Sequence, residues 1–185
     1  RDSNTFEKLM KAISKSLKKN DPNHLNLGIR YGYIEQLDDE LLRISKESFD
    51  ALSFNCYALS PDHEKMNHAL EISGLPMIIG EYHFGTVDRG LAQSLWQVNS
   101  QKERGDAFRY YTENAFAHRG LIGTGWFRWI DQNINGRTDG ENYNCGFIDV
   151  TDRPYPYMVD AAIETAKSLY EIHSGTKTPF HQAPN

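Results

Sequence analysis

Four apolar segments of this chain run into polar, ionisable or aromatic residues at points where an ordinary strand would simply turn. They end in Arg30 and Tyr31, in Asn55 and Tyr57, in Glu81, Tyr82 and His83, and in Trp126, Arg128, Trp129 and Asp131. Glu81 is the sharpest case, because the run PMIIGE delivers a carboxylate on the end of an apolar strand, directly after a glycine that permits close approach. A single strand-end Glu is most simply a solvated residue; four ends of this kind together describe a site. Other chemistries lack their residues. No GxGxxG or GxxxxGK[ST] loop follows any strand, so phosphate binding has no cradle. The GxSxG elbow of a Ser-His-Asp hydrolase is missing too. His63 and His68 lie five apart on a polar helix face without a convergent third ligand, so no metal site is expected, and no cofactor is implied.

These residues need elements to position them. Phe6, Leu9, Met10, Ile13 and Leu17 recur at helical spacing, and Asp21-Pro22 stops that helix. His24–Tyr31 then reads as a strand, Asp38–Ser48 as a helix with acidic residues in its first turn, Ala51–Tyr57 as a strand and Pro61–Ser73 as a helix closed by Gly74. Pro76–Glu81 is a strand apolar on both faces, as a parallel strand covered on both sides should be. A longer insertion, His83–Ser100, precedes a helix over Gln101–Arg119 and a fourth strand over Gly120–Trp129. A loop dense in Gly, Asn and Asp follows (Asp131–Asn144), then a short segment Gly146–Val150 and a last helix over Pro156–His173. Ser174–Asn185 reads as a flexible tail. Strands joined by single helices predict a parallel α/β sheet with right-handed crossovers, either an open doubly wound sheet or part of a (β/α)8 barrel. Both place function at the carboxyl ends of the strands.

With 185 residues the chain is one domain's worth of length. Its 20 basic and 25 acidic residues leave a net charge of −5, which argues against nucleic acid or an anionic membrane as partner. No apolar run reaches the roughly 18 residues that cross a bilayer, and the N-terminus is patterned as an amphipathic helix rather than a signal peptide. Aromatic residues make up 12%, an excess of flat amphipathic rings that suits a core and equally a sugar-binding surface. Cys56 and Cys145 lack metal spacing, and free thiols or a single bridge are both open. The first residue is Arg, so the chain is expected to be a piece of something longer.

The segments MIIGEYHFG, GTGWFRWIDQ and DGENYNCGFIDVTDRPYP resemble the final strands of clan A retaining glycoside hydrolases, with beta-agarase and beta-galactosidase-like members of families 50 and 42 nearest. DPNHLNLGIRYG resembles the fifth-strand region and DALSFNCYA the sixth, so the resemblance covers nearly the whole chain. It implies the C-terminal half, strands 5 to 8, of a TIM (β/α)8 barrel over residues 1–173, with 174–185 as the tail. Glu81 maps to the catalytic nucleophile at the end of the seventh strand, and Tyr57 to the residue that bonds it. Trp126 or Trp129 maps to the aromatic floor under the sugar. The acid/base Glu of the fourth strand is expected to lie before Arg1, and a complete barrel needs about 250 residues.

The retaining mechanism uses two carboxyl groups about 5–5.5 Å apart, one to attack the anomeric carbon and one to protonate the leaving oxygen. The substrate implied is a β-linked, galactose-containing polysaccharide or oligosaccharide. Arg30, Asn55, His83, Trp126, Trp129, Asp131, Gln132, Glu141 and Asn142 are the candidate substrate-binding residues. Strand alternation would send Trp126 and Trp129 to opposite faces, so one of them is expected to line the site. Four parallel strands alone leave two edges uncovered, so the expected partner is the missing N-terminal half-barrel or a second copy of the chain. By this reading the chain alone is inactive and the parent enzyme is secreted or periplasmic. The competing reading is a non-catalytic carbohydrate-binding half-barrel.

Overall fold

The computed structural model describes residues 3–184. In chain order it contains α1 (Ser3–Asn20), β1 (Arg30–Tyr31), a 3-10 turn (Ile34–Gln36), α2 (Asp39–Ser48), β2 (Leu52–Asn55), α3 (His63–Ser73), β3 (Met77–Tyr82), α4 (Gln101–Phe116), β4 (Leu121–Trp126) and α5 (Pro156–His173). The strands form one parallel sheet in the order β1-β2-β3-β4, with Arg30 paired to Ser53 and Tyr31 to Phe54. Each strand therefore lies beside the next one in sequence, separated from it by a helix. That is the order of half an eight-stranded barrel, and not of an open sheet whose strand order reverses.

The residues divide into two compact units. Unit 1 holds the chain to Cys56, Asp62–Gly80 and Gly120–Gly123; unit 2 holds Tyr57–Pro61, Glu81–Arg119 and everything from Thr124 onward. In unit 1, Leu52 and Phe54 of β2, Met77 and Ile79 of β3, Leu121 of β4, Leu42 of α2 and Met66 of α3 have essentially no exposed surface. Asp38 caps α2 by accepting from the Leu41 N–H, Asp62 caps α3 by accepting from Glu64 and Lys65, and Gly74 closes α3 in the left-handed conformation. The stripe on α1 is wider than its contact: Met10 packs with Ile44 and Phe49, and Phe6 joins them, whereas Leu9, Ile13 and Leu17 remain exposed.

Three strands are shorter than their patterns predict, Ala51–Tyr57 being reduced to Leu52–Asn55. His24–Tyr31 is reduced to Arg30–Tyr31, because Asn26 bonds the Asp50 carboxylate through its N–H and folds its own Oδ1 onto the Gly28 N–H, with Gly28 at φ 71°. The fourth strand stops at Trp126. Within the C-terminal segment, Phe180 is held against α4. Its N–H donates to Glu113 Oε2 (2.7 Å), its carbonyl accepts from Asn114 Nδ2 (3.2 Å), and Arg109 lies 4.5 Å over its ring.

Unit 2 rests on the crossing of α4 and α5. Gly105 makes that crossing possible: a Cβ there would sit 2.5 Å from the Tyr157 carbonyl oxygen, closer than real contacts allow. On helix propensity alone, Gly105→Ala gains about 1 kcal/mol. The backbone oxygen in its way outweighs this, and a net destabilisation of about 1–3 kcal/mol is expected, read as a lower midpoint in urea unfolding.

Candidate active site

Within unit 2, β3 ends by sending successive side chains to opposite sides. Tyr82 goes to the helix side, fully buried, its ring stacked on Tyr111 at 4.1 Å and its hydroxyl bonded to Thr112 at 2.5 Å. Glu81, one residue earlier, is half-buried and accepts a 2.8 Å hydrogen bond at Oε2 from the Tyr57 hydroxyl. Burial, and then this bond to the carboxylate, push the Tyr57 phenol far above its ordinary pKa. It stays a donor at any working pH. A carboxylate at a strand end, held by a phenol that cannot ionise, is an oriented acceptor suited to nucleophilic attack.

His83 differs from the expected sugar ligand. It is 1% exposed, and both ring nitrogens are used inside the protein: Nδ1 lies 2.8 Å from the Phe127 carbonyl and Nε2 accepts from the Leu95 N–H at 3.0 Å. A carbonyl only accepts and an amide N–H only donates, so these partners fix a neutral ring protonated at Nδ1. Burial accordingly pulls its pKa down to about 4. Asp131 and Gln132 are likewise turned inward. Asp131 is buried and accepts from Asn144 Nδ2, the Gly146 N–H and the Tyr155 hydroxyl. Gln132 has no exposed surface, donating to Glu141 Oε2 and accepting from the Tyr143 N–H. Asn142 uses its side chain on Ala92 N–H and the Ile134 carbonyl. These four residues hold backbone in place. A polar residue at a strand end looks alike in sequence whether it faces a ligand or its own loops.

The same contacts explain how a loop rich in Gly and Asn keeps one shape. Beneath it lies Arg104, fully buried, donating to the Phe84 carbonyl (3.1 Å), Gln101 Oε1 (2.7 Å) and the Gly146 carbonyl (2.7 Å), with its guanidinium 5.0 Å over the Tyr155 ring. Gln101 continues the network to Asn144 Oδ1 at 2.7 Å. The loop that this network holds presents Glu141, ion-paired to Arg137 at 3.0 Å, and the half-buried ring of Tyr143, whose centroid is 5.8 Å from that of His83. Sequence reasoning missed Arg104, Arg137 and Tyr143. Arg104 carried a signal, since it falls on the helical stripe of Ala107, Phe108, Tyr111 and Ala115, where an apolar residue is the norm.

Trp126 ends β4, and Trp129 lies beyond the strand. Trp126 is half-buried, donating from Nε1 to the Cys145 carbonyl (2.7 Å) with its ring edge-on to Tyr82, Phe108 and Phe147. Trp129 is 68% exposed and stacks on Phe147 at 5.9 Å. Cys56 and Cys145 are both buried and not joined in a disulfide. In unit 1, Arg30 is exposed on β1 and Asn55 half-buried at the end of β2. Gly80 admits them: a Cβ there would lie 2.3 Å from Arg30 Cδ and 3.3 Å from Asn55 Oδ1. His68, weighed as a ligand, pairs with Asp39 at 2.8 Å. Among the described residues no three His, Cys, Asp or Glu side chains are grouped to hold a metal ion.

Beta-agarase A of Vibrio sp. (strain JT0107) is 36% identical to this chain over 165 residues, 85% of the chain. The chain spans 16% of the length of that relative. The structure of an exo-beta-agarase superposes with a TM-score of 0.87 at 34% identity, over 95% of this chain and 23% of that one. Xylanase 10B from Thermotoga maritima, at 13% identity and TM-score 0.55, shares the fold over 86% of this chain and 53% of its own. No family model matches. Over most of its length the chain is thus homologous to part of the beta-agarases, and its parallel four-stranded α/β sheet is consistent with half of a barrel.

The neutral His83 gives the fold a pH dependence of known sign. Between its ordinary value of 6.5 and about 4 in the folded state, the unfolded chain takes up a proton that the folded chain refuses. Stability is therefore expected to fall as pH drops through that window, by at most about 3 kcal/mol, and to level off below it. Urea unfolding from pH 7 to pH 4 should show this slope in the wild type. The difference curve against His83→Gln isolates the contribution of the ring.

Proposed function

We propose that this chain carries the nucleophile of a retaining β-glycosidase acting on agarose-type, galactose-containing polysaccharide, and that the acid/base carboxyl group comes from outside it. The observation that carries the reading is the 2.8 Å bond from the Tyr57 hydroxyl to Glu81 Oε2 at the end of β3. In the first step a carboxylate oxygen of Glu81 forms a bond to the anomeric carbon while the glycosidic C–O bond breaks, its oxygen taking a proton from the second carboxyl group. In the second, that group, now a carboxylate, removes a proton from water; the water oxygen bonds to the anomeric carbon and Glu81 leaves. Two inversions give retention.

The residues near Glu81 within the chain suit binding better than proton delivery. Glu141 accepts from Gln132 and pairs with Arg137. The Arg137 guanidinium beside Asp139 holds that carboxyl below the usual carboxylate range. An acid must carry a proton and release it, and both groups are engaged as acceptors. The exposed face of Trp129 is the platform for a pyranose ring. A module that only binds glycan would use the same platform without needing a phenol aimed at a carboxylate.

Two results are expected. The chain alone does not turn over agarose oligosaccharides; supplied with the N-terminal half of a beta-agarase barrel, it reacts with an activated 2-deoxy-2-fluoro β-galactoside, and peptide mass spectrometry finds the sugar on Glu81. Glu81→Gln abolishes the adduct, and Tyr57→Phe slows its formation about 10- to 100-fold through loss of one hydrogen bond to a charged group. Reversible binding with no adduct at Glu81 would establish the glycan-binding module instead.

A further inference from the structure

We infer that His83 is a positioning residue for the Tyr57–Glu81 pair, its ring serving as the stop that fixes the direction of the Tyr57 hydroxyl. The inference rests on the reading of Glu81 as the nucleophile. Glu81 and His83 are two residues apart, so the extended chain sends them to the same side while Tyr82 goes to the other. Tyr57 lies beyond the end of β2, on a segment with no regular structure, so its own backbone is a poor guide for its ring. His83 supplies the guide. Its ring meets that of Tyr57 edge to face, with centroids 4.9 Å apart and planes at 66°. It is itself clamped at both nitrogens, by the Phe127 carbonyl at the end of β4 and by the Leu95 N–H in the insertion after β3. Tyr143 and Phe127 close on it from other directions, each with its centroid 5.8 Å away.

A ring held this way cannot turn, and its neighbour inherits the restriction. Rotation of Tyr57 would swing Oη off Glu81 Oε2, and a displacement of about 1 Å in a reacting group costs on the order of 100-fold in rate. The clamp also joins two separate segments, so any looseness at Leu95 or Phe127 reaches the carboxylate through one ring contact and one hydrogen bond rather than through the backbone of β3.

The test is proton NMR of the 185-residue chain. The Tyr57 hydroxyl proton, identified by its loss in Tyr57→Phe, is expected to exchange slowly with water in the wild type. His83→Ala should speed that exchange about tenfold or more, while the Tyr82 hydroxyl, bonded to Thr112, keeps its rate. His83→Asn retains a donor for the Phe127 carbonyl but no ring. It should loosen Tyr57 equally, and it stands in for the Ala variant if that one does not fold. The inference is overturned if the wild-type Tyr57 hydroxyl exchanges fast, if its rate is the same in a folded His83 variant, or if Tyr57 and Tyr82 accelerate together, which would be general loosening. Fluorosugar labelling of wild-type Glu81 decides the nucleophile reading separately, so either can fail while the other stands.

Discussion

A guanidinium with no exposed surface is the constraint around which unit 2 is built. Transfer of a charge from water to the interior costs several kcal/mol even after relaxation, and the cost is met only if the donors find acceptors. Arg104 finds two backbone carbonyls and an amide oxygen, and lays its plane on the Tyr155 ring. Those acceptors belong to three segments that have no ladder between them: the residues after β3, the first turn of α4, and the strand-like stretch at Gly146. Asp131 supplies the opposite charge and is anchored by Asn144, Gly146 and Tyr155. Regular hydrogen bonding would have positioned these segments through the backbone. Here a buried charge does it, and backbone of irregular shape is fixed as firmly as a strand.

That arrangement gives a loop rich in Gly and Asn a single shape. The loop over Asp131–Asn144 contains Gly136 and Gly140, both at positive φ, and would sample many conformations as a free segment. Gln132 and Asp131 hold it at one end, Tyr143 and Asn144 at the other, and the bonds between them are buried. Arg137, Asp139, Glu141 and the ring of Tyr143 face outward, beside the exposed Asn133, Ile134, Asn135 and Thr138. The half-buried carboxylate of Glu81 thus stands on a strand and the outward-facing polar groups on a loop, and that loop is held by buried side chains.

Much of the fold was legible because periodicity is a local property. The run PMIIGE, the helix after Asp38 and the Gly74 that closes the following helix all announce themselves within a few residues, and the alternation of strand and helix limits the topology. The shortening of β1 was not legible, since it depends on Asn26 reaching Asp50 across 24 positions. In the site, Glu81 stood out as a charge ending an apolar strand. His83, Asp131 and Gln132 stood out for the same reason and turned out to face inward, because residue type records polarity and not the direction in which it is spent. Arg104 was hidden oppositely, as a charge inside a helix, where a solvated face is the ordinary explanation.

The tie at Phe180 carries a mechanical implication. Glu113 and Arg104 sit on the same helix, nine residues apart, and Glu113 Oε2 is bonded to the backbone of the C-terminal segment while Oε1 meets Arg109 and Thr165. Tension on the C-terminal segment is therefore borne first by a buried carboxylate and passes along α4 to the guanidinium that fixes the loops. A load on the segment at Phe180 is felt where the loops are anchored, so that segment acts as a guy-line for the rim.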